Sequence, residues 1–339
     1  MPILTATHPT LLDVTKRMDP KGKIDQIAEI LNAVNPVLDD AAWVETNGVL
    51  THRTTVRTGI PTATWRKIYG GVQPTKSTTA QITESVGELT AYAEVDATLA
   101  EINGNSAEWR LSEERPHIEA FSQQVSEALF YADENLNPER FNGLSVRYAA
   151  ASTAATATAA SEHVISAGSS GGNYGSIWLV GWSPNGIAML YPKGSAAGLS
   201  TEDKGKVTTE NIDGSNGRAE IYRTFMQWRC GAMVRDWRYG VRICNISRAT
   251  LTKNASSGAD LIDLLTQAVE MPPPGNSARW VIYTDRTIRT FLRKQIANKV
   301  ASSTLTMETV GGKPVMMFDG IPFKRCDALA VSETLVPVV

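Results

Sequence analysis

The chain has 339 residues, 42% of them hydrophobic and 20% charged, with 33 basic against 35 acidic residues and a formal net charge of -2. That length allows two compact domains or one elongated molecule with extensions, and the composition excludes a globally disordered or fibrous chain. The charge balance argues against a protein whose whole surface grips phosphate backbones, so cationic character has to be judged locally.

Cys230, Cys244 and Cys326 are too few and too scattered for a disulfide framework or a zinc site, and are read as reduced thiols in a cytosolic setting. The start Met1-Pro2-Ile3-Leu4-Thr5 lacks the basic and apolar runs of a secretion signal. No stretch approaches the roughly 18 apolar residues of a membrane helix.

In chain order, Ile24, Ile27, Ile30, Leu31 and Val34 recur at helical spacing, predicting a short amphipathic helix that Pro36 stops. The residues before it, Thr5 to Gly22, read as an extended arm. From Asn47 to Thr79 the chain is rich in Thr, Val and aromatics, yet neither alternating face is apolar. A hairpin is expected here, turning at Gly59-Ile60-Pro61 and returning through Thr62–Tyr69 with Trp65 and Ile68. Such a ribbon buries little in its own chain and should rest on another surface. Arms of about twelve residues would project on the order of 40 Å.

The ribbon carries Arg53, Arg57, Arg66, Lys67 and Lys76 and no acid, whereas the next stretch holds Glu84, Glu88, Glu94, Asp96, Glu101, Glu108, Glu113, Glu114, Glu119, Glu127, Asp133 and Glu134 against only Arg110 and Arg115. Both segments read either as solvated faces or as attracting partners, within one chain or between copies. Poor self-burial of the ribbon favours contact between copies. The acidic stretch contains the strongest helix, with Ile118, Phe121, Val125, Ala128, Leu129 and Ala132 on one face between Ser112 and Asp133. Ser112 can cap it with Pro116 in the first turn; a start near Ser106 would instead place Pro116 inside.

Beyond Asn137-Pro138, the Ala/Thr run Ala149–Ala160 and Gly168–Gly172 read as loops. Strands follow at Ser176–Trp182, Gly186–Tyr191 and Glu220–Ile246, then a helix Asp260–Glu270 halted by Pro272-Pro273-Pro274. A strand Trp280–Tyr283, a helix from Thr287 to about Val300, and a hairpin Met307–Val310 with Val315–Phe318 turned at Gly311-Gly312 complete the reading. Strands and helices without regular alternation predict an α+β fold.

The chain offers little chemistry. Gly181-Trp182-Ser183-Pro184-Asn185-Gly186 misses the spacing of a hydrolase elbow and reads as a β-turn. Gly168–Gly172 and Gly311-Gly312-Lys313-Pro314 lack the ending of a phosphate loop. His8, His52, His117 and His163 are dispersed without metal-ligand spacing, and Asp285 reads as a helix cap. No catalytic residue, metal or cofactor is expected. Arg223, Arg229, Arg235, Arg238 and Arg242, interleaved with Tyr222, Phe225, Trp228, Trp237 and Tyr239, have two readings. They form a nucleic-acid platform between Arg218 and Arg248, or a set of strands whose arginines pair with acids on neighbours.

The order of parts resembles the Hong Kong 97 fold of tailed-phage capsid proteins: an arm, a cationic hairpin, an acidic helix, a mixed domain and a closing hairpin. Particular strings resemble short-tailed phage shells of the epsilon-fifteen and Bordetella-phage type. These are Thr10-Leu11-Leu12-Asp13 through Val37-Leu38-Asp39-Asp40, His52-Arg53-Thr54-Thr55-Val56-Arg57-Thr58-Gly59-Ile60-Pro61, Trp65-Arg66-Lys67, Asp236-Trp237-Arg238, Gly312-Lys313-Pro314-Val315 and Asp319-Gly320-Ile321-Pro322.

The resemblance implies an N-arm (1–46), an E-loop (47–79), a P-domain with its spine helix (80–137), an A-domain (138–304) and a C-terminal hairpin with end segment (305–339). It implies a non-enzymatic major capsid protein that forms hexamers and pentamers of an icosahedral virion shell around double-stranded DNA, assembled in the host bacterial cytoplasm. Portal, scaffolding and decoration proteins are the implied partners, with DNA held without sequence specificity. The E-loop, through Arg53, Arg57, Trp65, Arg66, Lys67 and Lys76, is then expected to lie on the acidic region of an adjacent subunit, at Glu84, Glu88, Glu94, Glu113, Glu114, Glu119 and Glu127. Some relatives crosslink a lysine to an asparagine near this loop; Lys67 and Lys76 occupy that region, but no partner is identifiable and noncovalent assembly is expected. A DNA-binding protein using residues 218–248 is the alternative, and a hydrolase using Ser183 comes third.

Overall fold

The structure is a computed structural model that describes residues 35–101, 106–152, 160–168, 171–210, 217–255, 258–273, 278–298, 305–310 and 313–339. The helix expected from Ile24 lies outside the described residues. In chain order the strands are β1 Trp43–Glu45, β2 Thr51–Gly59, β3 Thr78–Ser85, β4 Gly87–Asp96, β5 Val164–Ser166, β6 Tyr174–Trp182, β7 Ile187–Tyr191, β8 Leu199–Glu210, β9 Arg218–Val234, β10 Gly240–Ser247, β11 Arg279–Thr284, β12 Leu305–Val310, β13 Lys313–Phe318 and β14 Ile321–Arg325. The helices are α1 Val37–Asp40, α2 Ala97–Glu101, α3 Ser106–Tyr131, α4 Leu144–Arg147, α5 Leu261–Glu270 and α6 Arg286–Asn298.

Two compact units divide the chain, and residues 198–229 fall in the same unit as 88–125. In this first unit β8 runs antiparallel to β9, from Leu199↔Trp228 to Glu210↔Arg218. Strand β4 alternates strictly: Leu89, Ala91, Ala93 and Val95 point inward while Glu88, Thr90 and Tyr92 face water. Its inward row meets Phe121 and Met226 at one end and Trp109 and Tyr222 at the other.

Helix α3 begins at Ser106 and encloses Pro116, which removes the N–H that would have bonded the Ser112 carbonyl. Ser112 therefore does not start the helix; its hydroxyl donates to the Trp109 carbonyl at 2.8 Å. Burial of Trp109 supplies packing that extends the helix upstream of the expected boundary.

In the second unit β6 is a buried hub, antiparallel to β10 and β11 and bridged to β7. Parallel pairs β1–β7, β5–β10 and β11–β14 alternate with antiparallel β7–β9 and β12–β13–β14, a mixed sheet consistent with the α+β expectation. Helices α5 and α6 cover Ile177, Leu179, Val241, Ile243 and Ile282 with Leu261, Leu265, Ile288 and Leu292. Trp178 lies among aromatic rings, 5.9 Å from Phe130 and 5.8 Å from Tyr148.

Asp285 caps α6 as the sequence predicts, and Asp260, expected as the first helical residue, caps α5 instead. Asp260 accepts the Ile262 and Asp263 amides, and Asp285 accepts the Ile288 amide at 2.6 Å. Strands β12 and β13 pair with Val310 opposite Lys313, and the expected turn residues Gly311-Gly312 lie outside the described residues. All three cysteines are buried and free, and burial pushes the Cys230 and Cys326 thiols up to about 12 and Cys244 to about 11.

Candidate assembly surface

The cationic ribbon pairs differently from its sequence expectation. β2 returns through β3, with Arg53 opposite Thr83, Val56 opposite Ala80 and Arg57 opposite Thr79. Residues 62–69 form no strand, and Gly59-Ile60-Pro61 opens a long tip loop instead of turning the hairpin. Thr62–Tyr69 has as full a run of amide donors as Thr78–Ser85, and the pairing is fixed instead at the ribbon base, where the Val86 amide donates to the Leu50 carbonyl at 3.1 Å and Glu84 on β3 is buried against Arg147.

Asn47 clamps the base of the ribbon, its amide donating to the Arg53 carbonyl at 2.6 Å and its side-chain oxygen accepting the Arg53 amide at 2.9 Å. At the tip, Lys67–Gly70 turns with Tyr69 at a left-handed φ of 64°. Trp65 and Tyr69 are fully exposed at 102% and 100%, with Ile60 at 87% and Ile68 at 82%. Arg53, Arg57, Arg66, Lys67 and Lys76 are also exposed, and among the described residues no carboxylate pairs with them.

The acidic residues are placed less uniformly. Glu84 is buried at the ribbon base and paired with Arg147; burial holds its carboxyl above the ordinary range despite that partner. Ser85 donates to Glu134, which also accepts from Asn142. In the first unit Glu88 accepts from Arg229 at 3.0 Å and Gln227 at 2.6 Å, Glu94 from Arg223 at 2.6 Å, and Glu114 from Thr224 at 2.6 Å. Glu119 accepts from Gln123, Glu113 is half-buried and Glu127 is exposed. Glu84, Glu88, Glu94 and Glu114 thus have partners in their own chain, and among the described residues no acid pairs with the ribbon cations.

The arginines of 218–248 resolve into ion pairs within the chain. Besides Arg223 and Arg229, Arg238 pairs with Asp236, while Arg242 with Glu333 and Arg248 with Asp285 are buried. Arg235 donates to Asn185. Guanidinium groups held this way are not arrayed on an open platform, and of the two readings the pairing one is observed. Sequence reasoning foresaw acids as partners; it did not identify Glu333, which lies 91 residues from Arg242.

Ser183 belongs to a β-turn: its carbonyl accepts the Gly186 amide at 3.0 Å and its hydroxyl the Asn185 amide at 3.3 Å. Among the described residues no group of three or more His, Cys, Asp or Glu is placed to hold a metal ion, and no helix is long and apolar enough to cross a membrane.

Comparison with known proteins supplies the context for this exposed ribbon. The family described as major capsid protein GP7 matches residues 19–337. The solved structure of bacteriophage Epsilon15 is similar at 35% identity and a TM-score of 0.75, covering 100% of this chain and 99% of that one. The bacteriophage JBD30 capsid is similar at 10% identity and a TM-score of 0.47, covering 89% and 93%, and the capsid of a native GTA particle at 11% and 0.44, covering 66% and 96%. No curated protein sequence matches. With its α+β fold, a ribbon whose tip side chains are exposed among the described residues and a family match along nearly its whole length, this chain belongs to the phage major capsid protein family GP7, of the Hong Kong 97-like type, and its role is to build a capsid shell.

Proposed function

We propose that copies of the chain close into an icosahedral shell of hexamers and pentamers around double-stranded DNA, with ribbon residues Arg53, Arg57, Trp65, Arg66, Lys67 and Lys76 lying on a neighbouring subunit. The observation that carries this reading is the full exposure of Trp65 and Tyr69 beside Ile60 and Ile68. Leaving such side chains in water forgoes about 1.5–3 kcal/mol each, a gain that a second copy can supply. Glu127, exposed on α3, is the acid of choice for the cationic flank: Glu84 is buried, Glu88, Glu94, Glu114 and Glu119 already accept from their own chain, and Glu113 is half-buried. Each rim charge pair contributes about 0–1 kcal/mol, and persistence comes from many such contacts closing together.

On this reading assembly is noncovalent and involves no catalysis. The parts are an N-arm (1–46), an E-loop (47–79), a P-domain (80–137), an A-domain (138–304) and an end segment (305–339), built into virions in the host cytoplasm. Portal, scaffolding and decoration proteins are the partners that the family resemblance supports.

Electron microscopy of purified protein tests the proposal. Wild-type chain forms closed particles, Arg57→Glu forms few at low salt, and adding Glu127→Lys restores part of the yield. Normal particles from Arg57→Glu and from Trp65→Ser alike would refute ribbon-mediated assembly.

A further inference from the structure

Helix α6 presents a second cationic surface, unrelated to the ribbon. Its buried side is formed by Ile288, Leu292 and Gln295, and its other residues include Arg286, Arg289, Arg293 and Lys294 without a single acid. Arg286, Arg289 and Arg293 follow one another at three- and four-residue spacing and so form one stripe. Arg286, Arg293 and Lys294 are exposed.

The surrounding carboxylates are engaged elsewhere. Asp285 accepts from Arg248 at 2.6 Å and caps α6, while Asp327 holds Arg325 at 2.6 and 2.8 Å. Among the described residues no carboxylate lies within ion-pair distance of Arg286, Arg289, Arg293 or Lys294. Arg289 shows the consequence: burial and the like charges of Arg293 and Arg325 disfavour its protonated form, and its buried Nε has no hydrogen-bond partner. Beside the stripe, an open groove of about 700 Å³ is lined by Lys253, Lys294 and Asn298, with the Lys294 ammonium 4.6 Å from the Phe291 ring.

We infer that this face of α6, with Lys253, binds the phosphate backbone of nucleic acid enclosed by the shell. The stripe runs about 10 Å, along which duplex DNA presents about six phosphates. Guanidinium forks match phosphate oxygens and carry no base preference when they contact only the backbone. The chemistry of the face separates this partner from a protein. Cores of protein interfaces are depleted in charge and rich in aromatic and apolar groups, whereas this helix exposes Thr287, Thr290, Ala297 and Asn298 between its cations, with the half-buried Phe291 as the single aromatic side chain at the groove. The inference rests on the shell reading for the presence of DNA, and its test is independent of particle formation.

The test is fluorescence anisotropy of a labelled duplex of about 20 base pairs and arbitrary sequence, titrated with full-length chain across a salt series, with electron microscopy of the same samples. Wild-type affinity falls with salt at a log–log slope of about −3 to −4, and Arg293→Gln with Lys294→Gln reduces that slope by about two while particles still form. An unchanged slope in the double variant, or no duplex binding by the wild type at low salt, overturns the inference. Loss of particles with unchanged duplex binding also overturns it and assigns the face to a second copy. Absence of wild-type particles alongside normal duplex binding sinks the shell reading and leaves the phosphate contact standing.

Discussion

Arg242 and Glu333 meet at 2.7 Å with each side chain only 5% exposed, joining the middle of β10 to the C-terminal segment. Ser176 and Tyr131 donate to the same carboxylate at 2.5 and 2.7 Å, and Arg242 also donates to the Tyr148 carbonyl at 2.8 Å. The guanidinium lies 5.1 Å from the Trp178 ring centre. Beyond it, the Asn245 side chain bonds both the amide and the carbonyl of Val336. Residues after Cys326 are thereby stitched into the second unit.

Removing one partner of this pair leaves a buried charge unanswered, a change that costs about 3–5 kcal/mol. Glu333→Gln should therefore lower the unfolding free energy of unassembled chain in urea by that order. Arg242→Met combined with Glu333→Leu should recover most of the loss. A single variant within about 1 kcal/mol of wild type would show that the pair is not what holds the segment.

His163 supplies a pH dependence. Its ring is 6% exposed, with Nδ1 3.1 Å from the Gly240 carbonyl and its plane edge-on to Trp237 at 5.0 Å. Burial pushes its pKa below 6.5, against the opposite pull of the Gly240 carbonyl and of Glu162 and Asp236. Below pH 6.5 the unfolded chain takes up the proton before the folded one does. The stability this group contributes is complete above pH 6.5 and is lost as pH falls toward the lowered folded value. His52 shifts in the same direction, through burial and Arg235, so the difference between wild type and His163→Asn is the informative quantity. That difference should vary with pH below 6.5 and stay flat above it; one constant from pH 5 to 8 would contradict the assignment.

Gly143 precedes α4 at a close backbone approach. A Cβ there would lie 2.7 Å from the Ala128 carbonyl oxygen, 2.9 Å from the Ala132 amide and 3.0 Å from the Leu129 carbonyl oxygen. None of these atoms can rotate away. Gly143→Ala should cost about 1–3 kcal/mol by overpacking and should disturb Arg147, the partner of Glu84. Gly71→Ala in the ribbon tip, where nothing lies within 4 Å, serves as the control and should change stability by less than about 0.5 kcal/mol. Equal melting temperatures for both variants would refute the packing argument.

Local chemistry is what the sequence specified. Runs of strand-forming residues gave β6 and β7, the Pro272-Pro273-Pro274 stop and the inward spacing of Ile288, Phe291, Leu292 and Ile296 gave α5 and α6 with Asp285 as a cap, and the paired runs beside Gly311-Gly312 gave the last hairpin. The same local logic showed that the segment from Asn47 to Thr79 is basic and lacks an apolar face. Pairing over distance was decided only in three dimensions. The true return strand of the ribbon, Thr78–Ser85, and strand β8 carry mostly exposed patterns that periodicity does not separate from loop, whereas the alternation of Leu89, Ala91, Ala93 and Val95 in β4 lies within a stretch read for its acids. The choice of Glu94 for Arg223, Glu333 for Arg242 and Asp285 for Arg248 depends on register between strands and on chain returning from far away. Side-chain charge is a property of one residue, whereas its partner is a property of the packed fold, and for that reason several acids from Glu84 onward turned out to be engaged while, among the described residues, the ribbon cations were not.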